Sequence, residues 1–246
     1  MTLQNQLEYS GRWLFRWRSF LPLIVLAAAI PALIDHRFPA GSHALQEWWN
    51  VLCLTVALSG QLLRFYTVGQ VPRRTSGRNR REQVAESLNT TGIYSAVRNP
   101  LYLGNCLIWL GLAAVPQSLA LWLIVALLFW LYHERIILAE EAFLERRFGE
   151  EFRQWAAVTP VFLPRFSRWR AAVLPFSFRH ALGREYLGAF AIISAFTTVE
   201  MLMDSAVLGR FVFPVGWLIA WLLSLVAFLV IRILRKKTRV LQVEGR

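Results

Sequence analysis

The chain has 246 residues, of which 56% are hydrophobic and 17% are charged, and it carries a formal net charge of +12. A soluble domain normally has about 25% charged residues, and here the apolar residues form long runs, so composition excludes an ordinary soluble protein and predicts an all-α integral membrane protein. The net positive charge would also fit a protein that binds nucleic acid. However, the lysines and arginines cluster between and after the apolar runs, which favours loops that face anionic headgroups. No nucleic-acid partner is therefore predicted.

Six apolar runs are predicted to form membrane helices. They are about Phe20–Ile34, Trp48–Val68, Leu101–Val115, Leu119–Leu138, Tyr186–Met203 and Phe211–Ile233. Several approach the roughly 20 residues that span a bilayer, and the first and third are shorter. The first run also fits the core of a cleaved signal peptide, but its long leader and the lack of a convincing small-residue cleavage site favour a retained helix.

Loop charges predict the orientation of these helices. Basic residues concentrate in the leader, in residues 69–98 and in the tail after Arg232, whereas residues 35–47, the turn at Pro116 and residues 204–210 carry few charges. Basic and nearly neutral segments alternate along all six runs. Both termini are therefore predicted to lie in the cytosol, in a bacterial inner membrane or an endomembrane.

The domain organisation predicted from this pattern is a single membrane domain. A core over 48–165 is preceded by an N-terminal helix within 1–47 and followed by an extra helix pair and a basic tail over 185–246. The stretch 139–185 is polar and interrupted by prolines, which indicates a cytosolic helix followed by an irregular segment at the membrane surface. Two cysteines inside apolar runs predict no disulfide framework, and no cysteine–histidine spacing predicts a metal site.

The first stretch with unusual chemistry runs from Gly92 to Gly104 and reads Gly-Ile-Tyr-Ser-Ala-Val-Arg-Asn-Pro-Leu-Tyr-Leu-Gly. Pro100 suits the first turn of a helix and Asn99 suits its N-cap. A helix N-terminus exposes unpaired N–H groups that favour a carboxylate or phosphate. The alternative is an ordinary capped helix start with Arg98 extending to headgroups.

The second stretch is a predicted helix near 139–156 with a carboxylate on its apolar face. At about 100° per residue, one stripe of this helix holds Leu144, Phe148, Phe152 and Trp155. Glu141 falls within the stripe and Glu140 at its edge. A buried carboxylate needs a cation or hydrogen-bond donors, so Glu141 is a candidate partner for the ammonium or hydroxyls of a ligand. A structural ion pair with Arg135 or Arg98 is the alternative.

Together the two stretches resemble the isoprenylcysteine carboxyl methyltransferase and phospholipid methyltransferase superfamily of integral membrane enzymes. The resemblance covers about 90–165. The matching positions are Gly92, Tyr94, Arg98, Pro100, Tyr102 and Gly104 in the first element and Glu140, Glu141, Leu144, Phe148, Gly149, Val158 and Pro164 in the second. This chain departs from the family at Asn99, where members have histidine, and at Phe152 and Trp155, where members have tyrosines.

The resemblance implies that both elements surround S-adenosylmethionine in a cytosolic pocket with a lipid entrance between helices. The implied cofactor contacts are Gly92, Tyr94, Asn99, Pro100, Tyr102, Gly104, Glu140 and Glu141. Arg98 and Glu141 are the predicted catalytic residues, with Arg98 orienting the acceptor. The predicted partner is a membrane lipid or lipidated substrate.

An anionic acceptor, a carboxylate or phosphate oxygen, is favoured because it needs no base, whereas an ammonium must first lose a proton that Asn99 cannot accept. The basic residues of 69–98 also favour an anionic headgroup, although simple attraction to an anionic membrane explains them equally well.

Two other classes of protein remain open on the sequence. Membrane sterol reductases that use NADPH carry a related Arg-His-x-Asn-Tyr element, and this chain has Leu101 where they have asparagine. A non-catalytic transport or scaffold protein normally buries charges mid-helix along a pathway. Here Arg64 and Glu200 lie near helix ends and can reach the membrane interfaces.

Overall fold

The structure, a computed structural model, describes residues 3–17, 30, 33, 34, 36–72, 75 and 85–245. Its helices are α1 (Leu3–Trp17), α2 (His43–Gly69), α3 (Pro100–Ala114), α4 (Leu119–Phe148), α5 (Glu150–Val158), α6 (Phe178–Leu208) and α7 (Val215–Lys237). Three short 3-10 helices lie in the connections, and the described ranges contain no β-strand.

The prediction of an all-α membrane protein is confirmed. Helices α2, α4, α6 and α7 are long and apolar enough to cross a membrane, and α3 is an apolar helix of 15 residues. These five helices correspond to the second to sixth apolar runs. The first run, Phe20–Ile34, lies outside the described residues except at Ile30, Leu33 and Ile34. The number of six spans therefore stays a prediction.

Helix α2 packs along both α3 and α6 and forms the centre of the bundle. Small residues allow the α2–α3 approach, as expected where lipid removes the hydrophobic drive between helices. A Cβ placed on Gly104 would lie 2.7 Å from the Gly60 carbonyl oxygen, and one on Gly111 would lie 2.6 Å from the Cys53 carbonyl oxygen. Glycine at both positions is therefore required by the packing.

The basic leader forms a helix that the sequence analysis did not predict. Helix α1 packs on α4, where Gly11 contacts the backbone of Arg135. The Glu8 carboxylate lies 2.8 Å from the Arg146 guanidinium. Trp13 and Trp17 remain exposed, as is typical of aromatic side chains at a membrane–water interface.

The residues of the helix predicted near 139–156 are helical, but they belong to two helices. Helix α4 extends without interruption to Phe148, and Gly149, with φ of 53°, breaks it before the short helix α5 begins at Glu150. A positive φ is readily adopted only by glycine, so the break is encoded at that residue. The apolar stripe is therefore divided between two helices at Gly149, and Phe152 is buried as part of α5.

The bundle has two chemically different ends. The Gln46 amide donates to the Val115 carbonyl at 3.2 Å, and the Gln117 amide donates to Gln46 at 2.9 Å, so the start of α2 and the α3–α4 turn share one end. We call this the Ser42 end. The opposite end, which holds the loop before α3 and the α5–α6 connection, is called the Arg98 end.

The charge pattern predicts that the Ser42 end faces away from the cytosol. In a background with Cys53 and Cys106 replaced by alanine, Ser42→Cys and Ser118→Cys should react with a membrane-impermeant thiol reagent only from outside. Both serines cap helices, so each substitution should lower the free energy of unfolding by about 0.5–2 kcal/mol. We expect the folded bundle to tolerate a loss of this size. Labelling of either cysteine from the cytosol alone would reject the orientation.

Candidate functional site at the Arg98 end

The loop before α3 and the segment after α5 are joined by backbone hydrogen bonds. The Arg98 N–H donates to the Pro160 carbonyl at 2.9 Å, and the Arg165 N–H donates to the Ala96 carbonyl at 2.9 Å. The Gly92 N–H donates to the Arg170 carbonyl at 2.9 Å. The two sequence elements that carried the family resemblance therefore form one structural unit.

Gly92 gives this loop its shape. Its φ of 59° lies in the left-handed region, and a Cβ there would lie 2.8 Å from Gln70 Oε1. The adjacent turn is held by Ser95, whose hydroxyl donates to the Gly92 carbonyl at 2.7 Å and accepts from the Arg170 N–H at 2.9 Å. Sequence reasoning missed Ser95, because its partner lies 75 residues further along the chain.

The start of α3 is placed as predicted, but its capping differs. Pro100 occupies the first turn and is buried, and Asn99 occupies the N-cap position. The Asn99 side chain makes no capping bond and instead donates to the Val161 carbonyl at 3.1 Å. Because that bond is made across the loop, Asn99 links α3 to the segment after α5.

Arg98 and Glu141 meet in the space between the loop and α4. Arg98 Nε lies 3.3 Å from Glu141 Oε1, and the two side chains are 14% and 21% exposed. The ion pair with Arg98 that the sequence left open is thus the arrangement found. Neither Arg98 Nε nor Glu141 Oε1 makes a hydrogen bond, although both atoms are buried. The two atoms balance each other's charge, and a bound polar ligand could supply the hydrogen bonds that both lack.

Tyr94 lies beside a second carboxylate. Burial, and next the nearby negative charge of Glu140, raises the pKa of the Tyr94 phenol above its usual value, so the hydroxyl stays protonated and can donate a hydrogen bond. The Tyr94 carbonyl accepts from Trp155 Nε1 at 3.0 Å, which fixes α5 against the loop. Trp155, a departure from the family pattern, therefore has a structural contact of its own.

Two other predicted cofactor residues, Tyr102 and Gly104, contact neighbouring helices. The ring centroids of Tyr102 and of His133 on α4 are 5.1 Å apart, and the two rings meet edge to face at 65°. Gly104 faces α2, where an added Cβ would lie 2.5 Å from Arg64 Cγ. Helix packing explains Gly104, and contact of Tyr102 and Gly104 with a cofactor stays a prediction.

An ion pair between helices was missed by the sequence analysis. Arg64 donates to both oxygens of Glu185, at 2.9 and 3.0 Å, and to Asn105 Oδ1 at 2.8 Å. This bidentate pair ties α2, α3 and α6 together at the Arg98 end. Two opposite charges at the same end of two apolar runs were the only sequence signal for it.

Arg64 and Glu200 lie near helix ends as expected, but both side chains are held by partners inside the bundle. Arg64 is committed to Glu185, and Glu200 is 1% exposed and accepts from Asn50 Nδ2 at 2.6 Å. Hydropathy places a residue along a helix, but it does not show which face turns toward a polar partner.

Comparison with known proteins identifies the family. The chain is 34% identical over 169 residues to the cobalt-zinc-cadmium resistance protein CzcN of Cupriavidus metallidurans. This alignment covers 65% of this chain and 73% of that protein. It is 38% identical over 161 residues to the nickel-cobalt-cadmium resistance protein NccN of Alcaligenes xylosoxydans xylosoxydans, covering 65% of this chain and 70% of the relative. The phospholipid methyltransferase family matches residues 48–151. The chain belongs to this family.

The resemblance inferred from the two motifs is thereby confirmed, and no solved structure matches the chain. The part shared with the phospholipid methyltransferase family contains most of α2, all of α3 and α4, and the loop between α2 and α3. Arg98 and Glu141 both lie within it. The segment that holds the loop from the other side, including Pro160 and Arg170, follows the matched region.

Proposed function

We propose that this member of the phospholipid methyltransferase family transfers a methyl group from S-adenosylmethionine to a lipid or lipidated acceptor at the cytosolic membrane face. The observation that carries the proposal is the meeting of Arg98 and Glu141 at 3.3 Å. One residue comes from each family motif, and both present buried atoms that make no hydrogen bond. The Arg98 end is also the end that the charge pattern assigns to the cytosol.

The residues at this end fit the chemistry of S-adenosylmethionine. Glu141 Oε1 makes no hydrogen bond and can accept one from an ammonium or hydroxyl group, and the protonated Tyr94 phenol is a donor. When bound, the cofactor supplies an electrophilic methyl group on a sulfonium. The protein's task is then to hold donor and acceptor in line and to exclude water.

Arg98 is proposed to orient an anionic oxygen of the acceptor. Its guanidinium has a planar set of donors that can hold two oxygens of a carboxylate or phosphate, while Glu141 fixes its position from α4. No group beside it is needed as a base, because an anionic oxygen attacks without losing a proton. Asn99, which replaces the family histidine, is consistent with such an acceptor.

The names of the two relatives support a biological setting for this methylation. One is named for resistance to cobalt, zinc and cadmium and the other for resistance to nickel, cobalt and cadmium. We place the methyl transfer in the same setting. Cells that express the wild-type chain should tolerate Cd²⁺ better than cells that express Glu141→Gln, and equal tolerance would remove this part of the proposal.

Calorimetry distinguishes the proposed enzyme from its rivals. Detergent-purified protein should bind S-adenosylhomocysteine, the product form of the cofactor, in a saturable manner and should show no heat of binding with NADPH. Binding of NADPH alone would identify a reductase instead. Binding of neither compound would favour a non-catalytic protein and contradict the proposal.

A further inference from the structure

Four potential metal ligands converge at the Ser42 end, away from the methyltransferase motifs. His43 and Glu47 lie on one face of α2, and Glu200 and Asp204 lie on one face of α6, each pair at the i, i+4 spacing that puts two side chains side by side. One ligand atom each from His43, Glu47 and Glu200 lie within 4.8 Å of one another. His43 Nε2 also lies 3.3 Å from Asp204 Oδ1.

The carboxylates of α6 are buried with unsatisfied oxygens. Glu200 and Asp204 are 1% and 3% exposed, and neither Glu200 Oε1 nor Asp204 Oδ1 accepts a hydrogen bond. Within the described part of the chain, no lysine or arginine forms an ion pair with Glu47, Glu200 or Asp204. Buried carboxylates are normally paired with cations or coordinate a metal. Here the side chains that could supply positive charge are two histidines, His43 and His36.

Neighbouring side chains orient two of these carboxylates through one oxygen each. Trp217 Nε1 donates to Glu47 Oε2 at 3.2 Å, and Asn50 Nδ2 donates to Glu200 Oε2 at 2.6 Å. Asn50 is fixed in turn by the Gln46 amide at 2.8 Å. The second oxygen of each carboxylate is therefore available to a ligand. In metal centres, similar hydrogen bonds orient the side chains that bind the metal.

We propose that His43, Glu47, Glu200 and Asp204 bind a divalent transition-metal ion. One imidazole nitrogen and three carboxylate oxygens suit ions such as Co²⁺ and Zn²⁺, whose ligand atoms stand about 3.4 Å apart when each is about 2.1 Å from the metal. The ligand atoms of His43, Glu47 and Glu200 lie within 4.8 Å of one another, so a contraction of at most about 1.4 Å brings them to this spacing, and His43 and Asp204 are already 3.3 Å apart. The half-exposed His43 ring gives an ion access from the membrane surface.

This site is separate from the proposed methyltransferase site. Arg64, at the Arg98 end of α2, is about 25 Å from Glu47 at a rise of 1.5 Å per residue. The sequence predicted no metal site because the search rested on cysteine–histidine spacing, whereas these ligands come from two helices far apart in the chain. Only the folded bundle brings them together.

Titration of detergent-purified protein with Co²⁺, followed by calorimetry and by visible absorption, tests the proposal. The wild-type chain should bind one Co²⁺ in a saturable manner, with absorption bands that report coordination by protein ligands. Glu200→Gln and Asp204→Asn should each weaken binding by at least about tenfold. Glu151→Gln, an exposed carboxylate at the Arg98 end, serves as the matched control and should leave the Kd unchanged.

Thermal unfolding provides a second readout. Glu200→Gln keeps the size of the side chain, so the metal-free variant should unfold at nearly the same temperature as the wild type, and it should reduce the rise in unfolding temperature that Co²⁺ gives the wild type. A purely structural carboxylate would instead leave the metal response intact. The proposal would be overturned if the wild type showed no saturable Co²⁺ binding, or if both variants bound Co²⁺ with the affinity of the wild type.

Discussion

Replacement of Arg98 by lysine should lower the rate of methyl transfer by about 100-fold while leaving the affinity for S-adenosylhomocysteine nearly unchanged. Lysine keeps a positive charge opposite Glu141, so the pocket around the cofactor retains its electrostatic balance. It loses the planar set of donors that holds two oxygens at once, so the acceptor oxygen is no longer aligned with the methyl group. Steady-state turnover and calorimetric affinity, measured on the same preparations, separate these two effects.

The matched control for this substitution is Arg165→Lys. Arg165 lies on the same side of the bundle, is exposed, and contacts the loop through its backbone N–H, so its replacement should leave turnover unchanged. A parallel loss of cofactor affinity and turnover in Arg98→Lys would place Arg98 in the cofactor site. Full activity would reduce Arg98 to a headgroup anchor and remove the support for an anionic acceptor.

Replacement of Glu141 by glutamine should weaken binding of S-adenosylmethionine by about 1.5–3 kcal/mol, or roughly 10- to 150-fold, because a charge-assisted hydrogen bond is exchanged for a neutral one. The side chain keeps its shape, so the packing around residue 141 is preserved. Calorimetry with the purified variant measures the change. Thermal unfolding of the same sample shows whether the loss of the ion pair with Arg98 has altered the fold.

Glu151→Gln is the control, since this exposed glutamate on α5 makes no ion pair among the described residues. It should bind the cofactor as the wild type does. An unchanged dissociation constant in a folded Glu141→Gln variant would show that Glu141 only positions Arg98.

Hydropathy predicts which segments of this protein form membrane helices. It does not predict where the helices end, because their ends depend on capping residues and on polar turns outside the apolar runs. The predicted run Tyr186–Met203 lies inside α6, which begins eight residues earlier at Phe178 because Ser177 caps it and its first turns are polar. Helix α4 similarly passes Leu138 and reaches Phe148, since a charged surface does not interrupt helical hydrogen bonding.

The candidate site could be predicted only where its residues are close in sequence. Pro100, Gly92 and Arg98 belong to one short motif, and their positions around the start of α3 follow from it. Contacts such as Arg64 with Glu185, 121 residues apart, depend on how helices rotate against one another. A helical period fixes which residues share a face, but it does not fix which helix that face meets.

Transfer of a labelled methyl group is the most direct test of the proposed function. Membranes that contain the wild-type chain are incubated with S-adenosylmethionine carrying a tritiated methyl group, and the lipids and lipidated proteins are then extracted. The proposal predicts label in one of these fractions with the wild type and a strong reduction with Glu141→Gln and Arg98→Lys. Label in neither fraction, from membranes in which the folded protein binds S-adenosylhomocysteine, would contradict methyl transfer to a lipid or lipidated acceptor.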